Sequence, residues 1–255
     1  MLGDLCTTGE ILLHQRLRFL AAASVTVIVA GELGACGALD DKTFEDDHTV
    51  SEKITSVRLD NKDGGVEVRG TKGATNVLVH RKVDYQNDKP ESPTYRVENG
   101  VLVLAGCGHD CSVNYTVDVP ASLPVTGSTT NGEVDLSAVG EVKVSTSNGD
   151  VTVDGATGPV NLRTSNGQVE AKGLKGGGVR AETSNGSVSV SPAVAQNVWV
   201  KTSSGNVTVT APTGPYRVST DIRSGSRHIS VPTDPSAKYA LDLSTSSGDI
   251  TVKAA

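Results

Sequence analysis

"VSTSNGDVTV", Val144 to Val153, reads as two alternating runs around an Asn-Gly corner. Alone it predicts a β-hairpin, because Gly and Asn tolerate the positive φ that a tight corner needs. The chain then says nearly the same thing again, as "LRTSNGQVEA", "AETSNGSVSV" and "VKTSSGNVTV". The corner glycines are Gly132, Gly149, Gly167, Gly186, Gly205, Gly225 and Gly248, separated by 17, 18, 19, 19, 20 and 23 residues. A near-constant spacing of this kind marks a repeat architecture.

Each period holds two strands. The first places Val142 and Val144, Val160 and Leu162, Val179 and Ala181, Val198 and Val200, and Leu241 and Leu243 on one face. Thr146, Thr164, Thr183, Thr202 and Thr245 continue that parity, so they should face inward at the edge of the core. The outward positions decide between hairpins and a coil. Just before each Thr they read Ser145, Arg163, Glu182, Lys201, Asp221 and Ser244, and the four central members alternate in sign. In-register stacking of successive periods sets opposite charges side by side, whereas hairpins give such a ladder no reason to exist. The next outward column reads Lys143, Asn161, Arg180, Trp199, Ser219, Asp242, which puts Arg180 beside Trp199 for a cation–π contact.

The expected fold is therefore all-β: a single-stranded parallel β-helix, or β-solenoid, of about 17–20 residues per coil over residues 121–255. Its structural corners are Asn131-Gly132, Asn148-Gly149, Asn166-Gly167, Asn185-Gly186, Gly205 and Gly248, where stacked Asn or Ser side chains can hydrogen-bond along the column. The residue after each Gly (Glu133, Asp150, Gln168, Ser187, Asn206, Ser226, Asp249) stays polar without fixed chemistry and reads as a solvated corner. The corner at Ile222–Ile229 lacks the Thr, which puts stacking in doubt there.

Residues 52–120 are less regular and read as an N-terminal β region acting as a cap. "ITSVRLDNKDGGVEVRG" looks like a variant first coil with Gly64-Gly65 at its corner. The runs flanking the cysteines are expected to add antiparallel strands over that coil, whose open edge would otherwise invite aggregation. The C-terminal "GDITVKAA" has no evident cap and reads as the place for a partner strand.

Composition agrees with a thin core. The 255 residues include 36% hydrophobic and only 3% aromatic residues, and 28 glycines. The net charge of −6 argues against a nucleic-acid footprint of the basic kind.

The N-terminus carries an address. "RLRFLAAASVTVIVAGELGACG" has a positive start at Arg16 and Arg18, an apolar run from Phe19 to Gly31 too short to span a bilayer, and then Leu33-Gly34-Ala35-Cys36. That ending resembles the bacterial lipobox, which implies a signal peptide over 1–35, lipidation of Cys36 and an extracytoplasmic protein anchored to the bacterial cell membrane by that lipid. The two arginines and three acids of residues 1–35 leave 21 basic and 26 acidic residues, a net of −5. Residues 36–51, "CGALDDKTFEDDHTVS", are acidic and poor in apolar groups and read as a disordered tether.

Outside the cytoplasm, Cys107 and Cys111 most simply form a disulfide across Gly108-His109-Asp110. The alternatives are a metal site of Cys107, His109 and Cys111, for which no fourth ligand is in view, and a reactive thiol pair, which lacks the Cys-x-x-Cys spacing. No cofactor is implied.

"VDVPASLPVTGSTTNGEVDL" followed by "STSNGDVTV", "RTSNGQVEA" and "ETSNGSVSV" resembles the bacterial "putative adhesin" β-strand-repeat family, related to the GIN head domain, over about residues 55–253. The resemblance implies a β-helical fold and often a membrane or lipoprotein anchor, and offers no catalytic residues. It points to a non-catalytic binding or scaffold module of the cell envelope, with a polymer or protein partner and with Trp199 and Arg180 as the candidate contact patch. The alternatives are a β-helix enzyme acting on polysaccharide, an envelope-stress sensing component, and an ice-binding threonine array. His48, His80, His109 and His228 form no recognisable catalytic group by spacing. The outward column Asp135, Thr152, Glu170, Ser189, Thr208, Ser230, Thr251 is too mixed for ice.

Overall fold

The computed structural model describes residues 41–91 and 93–255; the expected signal segment, Cys36 and the first tether residues lie outside the described residues. Every regular element described is a strand, as the alternating Val- and Thr-rich runs require. The N-terminal region contains β1 (Lys42–Val50), β2 (Ser56–Asp63), β3 (Val66–Thr71), β4 (Val77–Tyr85), β5 (Tyr95–Glu98), β6 (Val101–Ala105) and β7 (Cys111–Pro120). The repeats follow as pairs: β8 (Val125–Asn131) with β9 (Val134–Ser137), β10 (Val142–Asn148) with β11 (Val151–Asp154), and β12 (Val160–Asn166) with β13 (Val169–Leu174). Next come β14 (Val179–Glu182) with β15 (Val188–Pro192), then β16 (Val198–Ser204) with β17 (Val207–Ala211). The last pairs are β18 (Arg217–Ser224) with β19 (Arg227–Ile229), and β20 (Ala240–Ser247) with β21 (Ile250–Ala254).

The first strand of each pair joins a ten-stranded sheet and the second an eleven-stranded sheet. Successive pairs stack in parallel and in register, for example Val142↔Val160 and Thr146↔Thr164 in one sheet and Val151↔Val169 in the other. No hairpin joins β10 to β11. The inward Val, Leu, Ile and Ala side chains of both sheets form one buried cluster along the stack. The corner threonines are inward too, with Thr164 at 2% and Thr202 at 1% exposure. The expected parallel stacking of the repeats is present as two sheets, each repeat giving one strand to each sheet, with antiparallel pairs confined to the N-terminal region.

Three expectations need correction. The segment read as a disordered tether instead contributes β1, which pairs antiparallel with β4 from Lys42↔Tyr85 to Val50↔Val77. Its alternation of Phe44, Asp46 and His48 with exposed residues gives it a half-buried face despite its acidity. Next, the runs flanking the cysteines are antiparallel covers only in part, through β5. β6 pairs in parallel with β2 and β7 with β3, making a further coil outside the first. The antiparallel cover comes from β1 and β4 on one sheet and β5 on the other.

The third correction concerns the C-terminus. β20 and β21 are interior, because β20 pairs with both β16 and β18, and β21 with both β17 and β19. The outermost coil is therefore the degenerate one, and it does stack: Ile222 lies opposite Thr245 and Ser224 opposite Ser247. The column beyond Lys201 consequently runs through Ser244 to Asp221, and Trp199 neighbours Asp242 rather than Ser219.

Candidate surface site

Each corner glycine has a positive φ, such as 140° at Gly149 and 148° at Gly205. A Cβ at Gly149 would collide with the carbonyl oxygen of Gly132 one coil away, so the column admits only glycine. Two rows of side-chain hydrogen bonds flank it. Asn148 Nδ2 donates to Asn131 Oδ1, Asn166 to Asn148 and Asn185 to Asn166, each at 2.9 Å, and Asn131 closes the row on Asp63 at 2.7 Å. Inside, the hydroxyls of Thr164, Thr183, Thr202 and Thr245 donate to the carbonyls of Gly149, Gly167, Gly186 and Gly205.

At Asp150, Ser187, Asn206 and Asp249 the position after the glycine does more than meet water. Asp150 Oδ1 accepts from the Gln168 N–H at 2.7 Å, Asn206 Oδ1 from Asp249 N–H at 2.9 Å, and Asp249 Oδ1 from Ser226 N–H at 2.7 Å. A short acceptor is the common requirement, and Asp, Asn and Ser all meet it. The sequence showed the polarity there and hid the bond, because the partner lies a full coil away.

These rows hold the outer face of the ten-stranded sheet rigid. Its register brings Lys143, Asn161, Arg180, Trp199 and Asp242 into one column. Ser145, Arg163, Glu182, Lys201 and Ser244 form the next. The Arg180 guanidinium lies over the Trp199 ring at 3.5 Å from its centroid. Glu182 Oε2 stands 4.0 Å from Arg163 Nη1 and 3.8 Å from Arg180 Nη2, so one carboxylate serves two guanidinium groups. Lys143 and Lys201 have no carboxylate oxygen within 4.0 Å among the described residues. Two shallow hollows share Lys143, Asn161 and Arg180; one extends to Trp199 and Arg217, the other to Arg163 and Glu182. Ser147, Ser165, Ser184 and Ser203 expose a row of hydroxyls beside these columns, a row that the letters alone do not single out because corner serines look like turn residues.

The eleven-stranded sheet faces outward with the opposite sign. Glu67, Asp135, Asp154 and Glu170 are joined by the corner acids Glu133 and Asp150, against Arg69 and Lys172. Arg69 binds Asp118 at 2.9 Å and Lys172 approaches Glu170 at 3.5 Å. The Glu133 carboxyl is raised above its ordinary range by the charge of Asp135, by burial and by Asp150.

The N-terminal end carries a buried polar knot. Arg81 grips Asp46 with two bonds, Nε to Oδ1 at 2.6 Å and Nη2 to Oδ2 at 2.7 Å, and donates to Thr94 Oγ1 at 3.0 Å. Thr94 Oγ1 also accepts from the buried Tyr115 hydroxyl at 2.6 Å. Burial raises the Tyr115 phenol, more than Thr94 and Arg81 lower it. Cys107 and Cys111 are joined as a disulfide, with Cα atoms 5.8 Å apart, at the corner between β6 and β7. Both thiols are consumed, so the alternative metal trio with His109 has lost two of its ligands.

The four histidines among the described residues form no common cluster. His48 and His80 lie beside Asp46 and Asp47 on β1 and β4, His109 is in the disulfide corner, and His228 contacts Ser230 Oγ at 2.8 Å on β19.

No curated protein matches the chain. Solved structures match its shape loosely. A "putative adhesin" from Parabacteroides distasonis is 14% identical with TM-score 0.47, covering 83% of this chain and 98% of that one. A "putative adhesin" from Bacteroides fragilis is also 14% identical, with TM-score 0.43, over 83% and 97%. A "putative lipid binding protein" from Parabacteroides distasonis is 11% identical, with TM-score 0.35, over 83% and 96%. The model of the Toastrack DUF4097 family matches residues 112–255, more than half of the chain. Its span takes in β7 and every repeat strand from β8 to β21. The chain belongs to the Toastrack DUF4097 family.

Proposed function

We propose that this protein is a membrane-anchored extracytoplasmic lipoprotein whose solenoid is a non-catalytic, adhesin-like binding or scaffold module of the bacterial cell envelope. Cleavage after Ala35 and lipidation of Cys36 hold it at the membrane. The observation that carries the reading is the outer face of the ten-stranded sheet. It presents four exposed cations, an aromatic ring and two hollows on a chain whose net charge is negative. Interlocking hydrogen-bond rows at the corners order the backbone that carries these groups, which lowers the ordering cost of binding an extended partner. We read the two sheets as opposite walls of one continuous single-stranded winding, which makes that face a flat, regular surface.

The test is co-sedimentation of the full-length protein, in detergent, with purified cell-wall material. Retention in the pellet is expected; a protein that stays wholly in the supernatant with every wall preparation ends the reading. For the anchor, Cys36→Ala should abolish incorporation of labelled palmitate, and persistent labelling removes the lipobox assignment.

A further inference from the structure

The two outer faces carry opposite charge, and the middle of the ten-stranded sheet holds more cations than acids, with Glu182 and Asp242 beside them. Between β8 and β16 its outward residues include Lys143, Arg163, Arg180 and Lys201 against the single acid Glu182. Glu182 is shared by the two arginines, while both lysines are free of carboxylates among the described residues. Parallel strands are spaced about 4.8 Å apart, so Lys143 and Lys201, three strands apart, bracket a strip roughly 14 Å long. Such a strip is too long for one small anion and suits several negative groups in a row.

We propose that this face binds an acidic polysaccharide, a linear glycan bearing repeated carboxylates, laid across the strands from Lys143 toward Lys201. The chemistry divides among the columns. Lys143, Arg163 and Lys201 meet the carboxylates. Trp199 is covered on one ring face by Arg180 and is half-buried, so it adds apolar surface beside the cations rather than an open stacking platform. The exposed hydroxyls of Ser147, Ser165, Ser184 and Ser203 lie within the same face to pair with ring hydroxyls. An anionic membrane surface fits less well. The large apolar side chains exposed among the described residues are Leu78 and Val194, and neither is on this face, so nothing there inserts between acyl chains. The inference rests on the binding-module reading above and adds the ligand's chemistry.

The experiment uses the full-length protein in detergent with three probes: polygalacturonate, neutral dextran, and mixed micelles of phosphatidylglycerol in the same detergent. Binding to polygalacturonate that weakens with added salt is expected, with no binding to dextran. The triple variant Lys143→Gln, Arg163→Gln, Lys201→Gln should weaken it by about tenfold or more, the scale of several partly exposed ion pairs removed at once. Lys175→Gln with Lys253→Gln removes the same kind of charge elsewhere and should leave binding unchanged. The charge-conserving Lys143→Arg, Lys201→Arg pair should retain it. Equal binding by triple variant and parent overturns the proposal, as do a triple variant that loses more phosphatidylglycerol binding than polygalacturonate binding and a salt-sensitive self-association that uses the same cations. If cell-wall material is retained but polygalacturonate is not, the ligand chemistry fails while the binding module stands. If neither is retained, both fail.

Discussion

The two ends of the stack are built by the same manoeuvre and finished differently. At each end the chain lays its second-from-last coil outermost and tucks the terminal coil inside. β6 and β7 lie outside β2 and β3, and β18 and β19 lie outside β20 and β21. Both outermost coils carry the corners that depart most from Thr-x-Asn-Gly, a disulfide loop at one end and Ile222 to Gly225 at the other. A coil with one stacked neighbour has fewer partners to satisfy, so its motif can decay. The finish then diverges. The N-terminal end is sealed by three antiparallel strands and the Arg81–Asp46 knot. The C-terminal end leaves β18 and β19 as edges, with Val218, Ile222 and Ile229 only half-buried and Arg223, Arg227 and His228 exposed. Charges on an edge resist pairing with stray strands, so that end is guarded rather than covered.

The largest expected effect breaks the interior against the edge. Gly149 and Gly225 share nearly the same φ, 140° and 142°, and at each an added Cβ would strike the carbonyl oxygen of the next coil's glycine. Gly149 is locked between two coils, so Gly149→Ala should cost about 3 kcal/mol or more through strain and weakened stacking. Gly225 sits in the outermost coil, which can shift away, and Gly225→Ala should cost about 1 kcal/mol. Urea denaturation of both variants decides it. Equal losses would mean that the edge coil is as firmly held as the interior.

The next contrast concerns the sealed end. Burial works to raise the Asp46 carboxyl, but the hydrogen bonds and charge of Arg81, with a smaller contribution from His48, hold it below the ordinary value. A carboxylate with a depressed folded pKa contributes stability above its unfolded pKa and loses it as pH falls through the folded value. The exchange protection of the β1 and β4 amides, relative to the unfolded chain at the same pH, should therefore fall on acidification below about pH 4, while that of β18 and β19 should already be low at neutrality. Arg81→Met leaves Asp46 without its partner and should cost about 2–4 kcal/mol. It should also remove that acid step. Unchanged acid sensitivity in this variant would show that the knot does not hold the seal.

Much of this was legible in the sequence where interactions repeat at one period. The inward parity of Thr146 to Thr245, the ladder from Arg163 through Glu182 to Lys201 and the Arg180–Trp199 contact all follow from in-register stacking, so a column of aligned letters displays them; the fourth sign, Asp221, is parted from Lys201 by Ser244. The order of the end coils was not legible. Glycine spacings of 20 and 23 residues look like a drifting period, whereas they record a chain that passes outward to β18 and returns through residues 230–239 to β20. In that return Val231 and Ala237 are buried and Tyr216 N–H bonds to Pro232 O, long-range contacts without a repeated signature. β1 was hidden for a different reason. Its acidity reads as disorder until Arg81, thirty-five residues away, supplies the countercharge. The basic face was half legible, since its letters were in view while the opposite sign of the other sheet emerged only once the columns were sorted by sheet.

The smallest effect sharpens the comparison at a single column. Thr202 Oγ1 donates to Gly186 O at 3.0 Å inside the stack, and Thr202→Val keeps the shape while removing that donor. A loss of about 1 kcal/mol is expected, the ordinary net worth of a hydrogen bond made away from water. Ile222 occupies the same column in the outermost coil, opposite Thr245, and has no hydroxyl to offer. Ile222→Thr would restore the donor facing Gly248 but would trade half-buried apolar surface for it. At roughly 25 cal/mol per Å² that surface is worth about as much as the bond, so the net change should fall within about 0.5 kcal/mol of zero. A clear stabilisation by Ile222→Thr, read by thermal unfolding, would mean that the corner motif is lost there for a reason other than slack. The edge residue would then be kept apolar for something that docks on it, and the guarded end would have to be regarded as a second binding surface.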